Sequence, residues 1–237
     1  MIENRNLKSS KKRRTLLVLG FVLTGVVNCV QAQQTMEISW LTSEIAVMAW
    51  GVNNVSSSMA VIEFYQEDLI NYKSTKKNVI AIKEIQFYLA NLGDGNDTIT
   101  NCKVFIMQGQ DIATATVKHT QEVTNWVWDW NVINLDSVYT IVFGQRLYIG
   151  YELSFSGDDH KIYHAVASEC EPQKGWLGGT NLSTGIISFD NNGYCFLIKA
   201  TAIVVPAPQL CMISVDDNNH NDIVWKQEEN VVYYNRV

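Results

Sequence analysis

Proline, histidine and helical patterning are what this sequence has least of. Three prolines and 14 glycines in 237 residues exclude a collagenous or proline-rich stalk. There are four histidines, His119, His160, His164 and His220. His160 and His164 stand four apart without the intervening Glu of an HExxH helix, and HKIYHAVAS reads as a strand start. No G-x-S-x-G elbow offers a serine nucleophile its usual scaffold. Carboxylates are plentiful at Glu152, Asp158, Asp159, Glu169 and Glu171. Turns consume Asp for their own geometry, and nothing marks two of these as a glycosidase pair. No catalytic signature emerges, and the expectation is a protein that is not an enzyme. No stretch of 12 residues carries an apolar helical stripe; Gln66 to Tyr72 could form one short turn.

Long hydrophobic runs are also missing, except at the start. Lys11-Lys12-Arg13-Arg14 precede an apolar segment from Thr15 to Val27, and Val30-Gln31-Ala32 places small residues at −3 and −1 of a cut after Ala32. This pattern predicts a signal peptide over 1–32 and an exported chain of 205 residues beginning at Gln33. An uncleaved anchor is one alternative. Lipidation at Cys29 is another, although Val26-Val27-Asn28 lacks the residues that normally precede a lipidated Cys. With no further apolar run, no membrane span is expected after cleavage. The leader takes six of the 18 Lys+Arg and one of the 24 acids with it, so the mature chain carries 12 basic and 23 acidic residues and a net charge of −11. A phosphate backbone would be repelled, which excludes nucleic acid as the expected partner.

What is present in quantity is hydrophobic residue, 47% of the chain, in period two. Val79, Ala81, Lys83, Ile85, Phe87 and Leu89 alternate with their neighbours; so do Cys102, Val104 and Ile106, then Leu147 to Phe155, then Tyr194 to Ala200. Turn clusters at 91–96, 156–159 and 190–193 separate them. Nine or ten strands so spaced predict an all-β fold, a two-sheet antiparallel sandwich over 33–205. Pro206 and Pro208 then mark a linker, and Ile223–Lys226 and Val231–Asn235 read as two new strands in a truncated β tail, 206–237, which is too short to bury a core alone and is expected to be the opening of a truncated second domain. A hairpin packed on the sandwich is the alternative.

In an oxidising compartment the remaining Cys102, Cys170, Cys195 and Cys211 allow three pairings, or none. Cys170 with Cys195 is the pair expected if one forms. Asp94, Asn96 and Asp97 put three oxygen-bearing side chains within four residues, a candidate structural calcium site, although turn chemistry accounts for them equally. Otherwise no cofactor is expected. Trp126, Trp128 and Trp130 would share one face of an extended segment. If Ile133 and Leu135 face the core, continued alternation turns the three indoles outward as a platform for sugar C–H faces. A bulge before Trp130 would instead bury them.

Several segments carry a family likeness. Ala60–Phe64 with Glu67-Asp68-Leu69, then Ile82–Leu89, Lys103–Gly109, Trp130–Asp136 and Leu147–Glu152 follow one another in an order that is similar to secreted jelly-roll domains of Bacteroidetes surface proteins. The likeness covers about residues 58–205. The tail, with IVWKQ and YYNRV, resembles the start of a fibronectin-type module. The resemblance implies a jelly-roll-like topology for that sandwich and a secreted or cell-surface module for adhesion or carbohydrate binding, with a glycan or surface protein as partner, and it supplies no catalytic residue. An accessory domain of a larger secreted peptidase or glycosidase, or a purely structural surface protein, are the alternatives.

Overall fold

The computed structural model describes residues 33–53, 55–90, 99–156, 161–170, 174–181, 184, 187–191, 194–206, 209–215 and 221–226, with the backbone course alone for 47–53, 161–163, 209–215 and 221–226. Their strands are β1 (Thr35–Ile38), β2 (Ala46–Asn53), β3 (Val55–Phe64), β4 (Lys77–Tyr88), β5 (Ile99–Gly109), β6 (Thr116–Glu122), β7 (Trp130–Thr140), β8 (Arg146–Phe155), β9 (Lys161–Ala167), β10 (Gly175–Asn181), β11 (Ile187–Asp190), β12 (Ile198–Pro206), β13 (Gln209–Val215) and β14 (Asn221–Lys226). One short helix, α1 (Gln66–Leu69), and a 3-10 turn at Tyr72–Ser74 lie between β3 and β4. Among the described residues no helix is long and apolar enough to cross a membrane.

Two antiparallel sheets build the body. The first runs β1-β12-β4-β7 and the second β11-β10-β3-β8-β5-β6. Setting aside the β10–β11 hairpin, the eight strands of these sheets, taken in chain order, lie as 1-8-3-6 and 2-7-4-5. That interleaving, in which each strand's sequence neighbour crosses to the other sheet or turns back beside it, is the double Greek key of a jelly roll. β2 pairs with β9, and β13 with β14, outside the two main ladders. The expected all-β sandwich is therefore the fold observed. The segment 209–215, not read as a strand from sequence, is the partner of Ile223–Lys226; the other tail strand, Val231–Asn235, lies outside the described residues.

The core fills the space between the sheets: Ile82, Ile85 and Phe87 from β4 meet Ile106 of β5 and Leu147, Ile149 and Tyr151 of β8, all buried. Phe87 and Tyr151 stack across the interface with centroids 4.4 Å apart. Strict alternation along β4 would have pointed Lys83 inward. The strand avoids this with two irregularities. Against β12 the register slips between Val79 and Ala81, and again between Ile82 and Glu84. Each slip adds one residue and reverses the side-chain phase, so Val79, Ile82, Ile85 and Phe87 all reach the core while Lys83 does not.

A polar knot ties β9 to this core. His164 is fully buried, with Nε2 2.7 Å from Ser58 Oγ and Nδ1 2.9 Å from the Tyr151 hydroxyl. Ser58 Oγ also lies 3.3 Å from the Gly178 carbonyl. One assignment satisfies every group: Ser58 donates to Gly178, Nε2–H donates to Ser58, and Tyr151 donates to Nδ1. All of it requires neutral imidazole, and burial pushes the His164 pKa down from 6.5 to about 3. Below pH 6.5 the unfolded chain takes up a proton that the folded chain refuses, so stability falls as pH drops towards 3. The slope from this group is about 1.4 kcal/mol per pH unit. Between pH 7 and pH 4.5, urea titrations should show the wild type losing about 2–3 kcal/mol more than His164→Gln. Parallel pH profiles for the two would contradict this account.

Candidate functional site

The second sheet is apolar on both faces. On β3, Ala60, Ile62 and Phe64 face the core while Met59 and Val61 belong to a separate outer cluster with Phe105 and Met107 of β5 and Tyr148 of β8. The sequence carries this as continuous apolar runs, Met59–Ile62, Val104–Met107 and Leu147–Ile149, which mark strands covered on both sides. Read as simple alternation, those runs give one buried face, and the outer cluster goes unseen.

Strand register arranges that outer face in three rows. The middle row is Trp176, Val61, Gly150, Phe105 and Thr120, taken across β10, β3, β8, β5 and β6. The row towards one end of the strands is Gly178, Met59, Glu152, Lys103 and Glu122. The row towards the other end is Glu63, Tyr148, Met107 and Val117. Glycine at 150 is required. A Cβ there would sit 2.4 Å from the Ala60 carbonyl oxygen and 2.8 Å from the Phe105 ring, so the bare backbone lets Phe105 lie across the sheet. Gly178 does the same for Phe189, whose ring would lie 2.5 Å from an added Cβ.

Walls rise on both sides. The β10–β11 hairpin brings Trp176, Ile187 and Phe189, and the turn from β5 to β6 brings Asp111, Ile112 and Ala115. Asp111 holds that turn by accepting from the Thr114 amide at 2.9 Å and the Thr114 hydroxyl at 2.8 Å, which lowers its pKa. The enclosed groove has a volume of about 710 Å³, within the range of sites that take small organic ligands.

Each end of the groove carries an ion pair. Lys103 Nζ stands 2.8 Å from Glu152 Oε2. At the other end Glu63, buried in the sheet, accepts from Arg146 Nη1 at 3.0 Å and from the Trp176 indole at 2.9 Å, with the Tyr148 hydroxyl at 3.3 Å. Burial, reinforced by the Glu63 charge, raises the Tyr148 pKa. Arg146 also lies over the Tyr65 ring, 4.7 Å from its centroid, and Lys174, paired with Asp68 at 2.6 Å, lies over it at 3.6 Å. The aromatic wall is thus anchored to a charged network beneath it.

The sequence-selected residues lie elsewhere. Strict alternation does not run through 126–129: β7 begins at Trp130, and the segment before it is a loop. Ile133 and Leu135 do pack against the core, but Trp126 and Trp130 pack against it too. Trp128 alone is strongly exposed, at 46%. Trp126 and Trp128 meet edge to face at 5.2 Å, and Trp130 lies edge to face with Tyr88 and beneath Lys199. The three indoles therefore form no single flat face.

Asn131 sets this loop. Buried at the start of β7, it accepts from the Val127 amide and donates to the Val127 and Asp129 carbonyls, at 2.8, 2.9 and 2.8 Å. Asn131→Ala strands those groups, and thermal or urea unfolding should show a loss of about 2–3 kcal/mol. A loss below half a kcal/mol would mean that the loop is held by its tryptophans instead.

Asp94, Asn96 and Asp97 lie outside the described residues, as do Asp158, Asp159 and His160. Among the described residues no group of three His, Cys, Asp or Glu side chains is placed to hold a metal ion. His164 is engaged in the core. Cys170 and Cys195 form a disulfide, and Cys102 is a buried free thiol whose pKa burial raises to about 12.

Fold and groove together define a jelly-roll β-sandwich with a ligand-sized, aromatic-walled groove on the outer face of one sheet. No protein-family model matches the chain, and no curated protein matches it. Among solved structures it is similar to the cysteine protease and lectin-like domains of a surface layer associated protein of Clostridium difficile, with 9% identity and a TM-score of 0.37 over 62% of this chain and 32% of that one. The chain spans about a third of the length of that structure's chain.

Proposed function

We propose that this protein is an exported, non-catalytic binding module that holds a saccharide in the groove of the second sheet. The observation that carries the reading is the aromatic lining of the groove, in which the Phe105 ring lies over Gly150 as floor and Trp176 stands at the side. A pyranose presents C–H faces that stack on aromatic rings and hydroxyls that need polar partners. The groove offers the first along its centre and the second at Lys103, Glu152, Thr120 and Arg146 around it. The leader pattern at 1–32 supports export, and the family resemblance supports the same class of role. Glu152 is held by Lys103 and Glu63 is buried beneath three donors, so both carboxylates serve to fix the groove rather than to shuttle protons. Ser58 and His164, the one serine–histidine contact described, are sealed in the core.

Calorimetric titration of the purified protein with a panel of soluble polysaccharides tests the proposal. Phe189→Ala should weaken binding at least tenfold, or about 1.4 kcal/mol, whereas Trp128→Ala, outside the groove, should leave it unchanged. The reverse pattern would move the site to the tryptophan loop. Failure of every saccharide to bind the folded wild type would overturn the reading.

A further inference from the structure

Resting on that reading, we infer that the saccharide is uncharged and acylated: an N- or O-acetyl group on it lays its methyl against the wall formed by Ile112, Ala115 and Val117 and turns its carbonyl to Arg146. The argument lies in how polar groups are distributed around the groove. The aromatic side, Trp176 and Phe189 with Phe105 as floor, takes the C–H face of a ring. A ring so stacked directs its rim substituents across the groove, towards the turn from β5 to β6. There the side chains are aliphatic. Ile112 is buried, Ala115 is half-buried and Val117 is 59% exposed. The one polar side chain that this turn gives to the lining, Asp111, is engaged by Thr114. A hydroxyl facing the wall would give up water and find no partner among these side chains. A methyl group loses nothing there and buries apolar surface.

Strand register sets a donor beside that wall. Arg146 is level with Gly109 in the ladder. Ala115 fills the place of the side chain that Gly109 lacks: a Cβ there would come within 2.6 Å of the Ala115 backbone. Guanidinium and aliphatic wall therefore share one end of the groove. Glu63 takes one of the five N–H donors and Tyr148 stands beside the group, so the planar fork has donors to spare. Those donors do not select an anion. Glu63 lies beneath Arg146, and Asp111 is close enough for its charge and that of Arg146 to interact. At the far end Lys103 pairs with Glu152 and faces Glu122 across the β5–β6 ladder. Each end thus sets two carboxylates against one cation, and an anionic ligand would meet repulsion at both. A neutral carbonyl accepts from the guanidinium without adding charge. A carbonyl that carries a methyl satisfies donor and wall together, and on a saccharide that group is acetyl.

The test is calorimetric titration of the purified protein with two matched pairs of ligands. Chitohexaose and cellohexaose share a backbone and differ on each ring by acetamido for hydroxyl. Acetylated xylo-oligosaccharides and the same oligomers after mild alkali differ by the O-acetyl groups alone. At least one acetylated member should bind about tenfold more tightly than its partner, the worth of a methyl group in an apolar pocket, and the pair that shows the preference tells amide from ester. Two variants locate the effect. The double change Ala115→Ser with Val117→Thr keeps side-chain size and gives the wall hydroxyls. Arg146→Lys keeps a cation beside Glu63 but loses the fork. Each should cut the acetyl preference by about threefold or more. Equal affinity within both pairs would overturn the acetyl inference and leave the saccharide reading standing; so would a preference that either variant leaves intact. Tighter binding of the unacetylated members or of polygalacturonate, or binding confined to other saccharides, would do the same. No binding by any saccharide would remove both.

Discussion

The second sheet carries more apolar surface than one partner sheet can cover. Its central strands β3, β8 and β5 present large hydrophobic side chains on both faces, and the first sheet buries only the inner one. The outer face must find another cover. Part of it is supplied by the β10–β11 hairpin, appended to the edge that a plain jelly roll would leave at β3, and part by the turn that carries Ile112 and Ala115. These walls stand at opposite sides and do not meet. The groove is the uncovered remainder, and its apolar floor is a consequence of strand composition before it is a feature of any ligand.

Such a face would be a liability on its own. Exposed apolar surface on a sheet invites association, and the structure limits it by setting charge at both ends of the opening. The buried Glu63 is the costliest element of that arrangement, since removing a carboxylate from water is expensive unless its oxygens are fully satisfied. Arg146, Tyr148 and Trp176 come from two different strands and converge on it. The convergence fixes the Trp176 indole against the sheet, so the wall that defines the groove is oriented by an ion pair at its foot. Removing the carboxylate would leave the buried Tyr148 hydroxyl and the half-buried Trp176 indole without their acceptor and free the indole to turn. Wall position and groove chemistry are thus coupled through one side chain.

The sandwich itself was legible because a half-buried strand prints its period in the sequence. Cys102, Val104 and Ile106 alternate and are buried together, and the turn clusters fall between strands. Legibility failed where the backbone broke its own period. Nothing in KNVIAIKEIQFY announces that register slips after Val79 and Ile82 will exchange Lys83 for Ile82 in the core, because a bulge is chosen by the cross-strand partner. It failed again at Trp126–Trp130, where alternation was carried back through residues that form a loop. The cause there is Asn131, whose side chain closes hydrogen bonds that an extended strand would have sent to a neighbour. The groove was missed for a different reason: its signals, the apolar runs and the strand glycines Gly150 and Gly178, were present but read as ordinary strand.

Those glycines separate a shaped groove from a merely greasy face. Had position 150 carried a side chain, the close Ala60 carbonyl would have forced the strands apart and Phe105 could not lie across the sheet. The outer face would then have been a ridge of aliphatic tips, able to stick but not to select. With Gly150 and Gly178 the rings of Phe105 and Phe189 lie low over bare backbone, and Trp176 stands at the side. A groove whose depth is set by missing side chains and whose ends are set by anchored ion pairs is preorganised, so in the proposed role little ordering entropy would remain for binding to overcome.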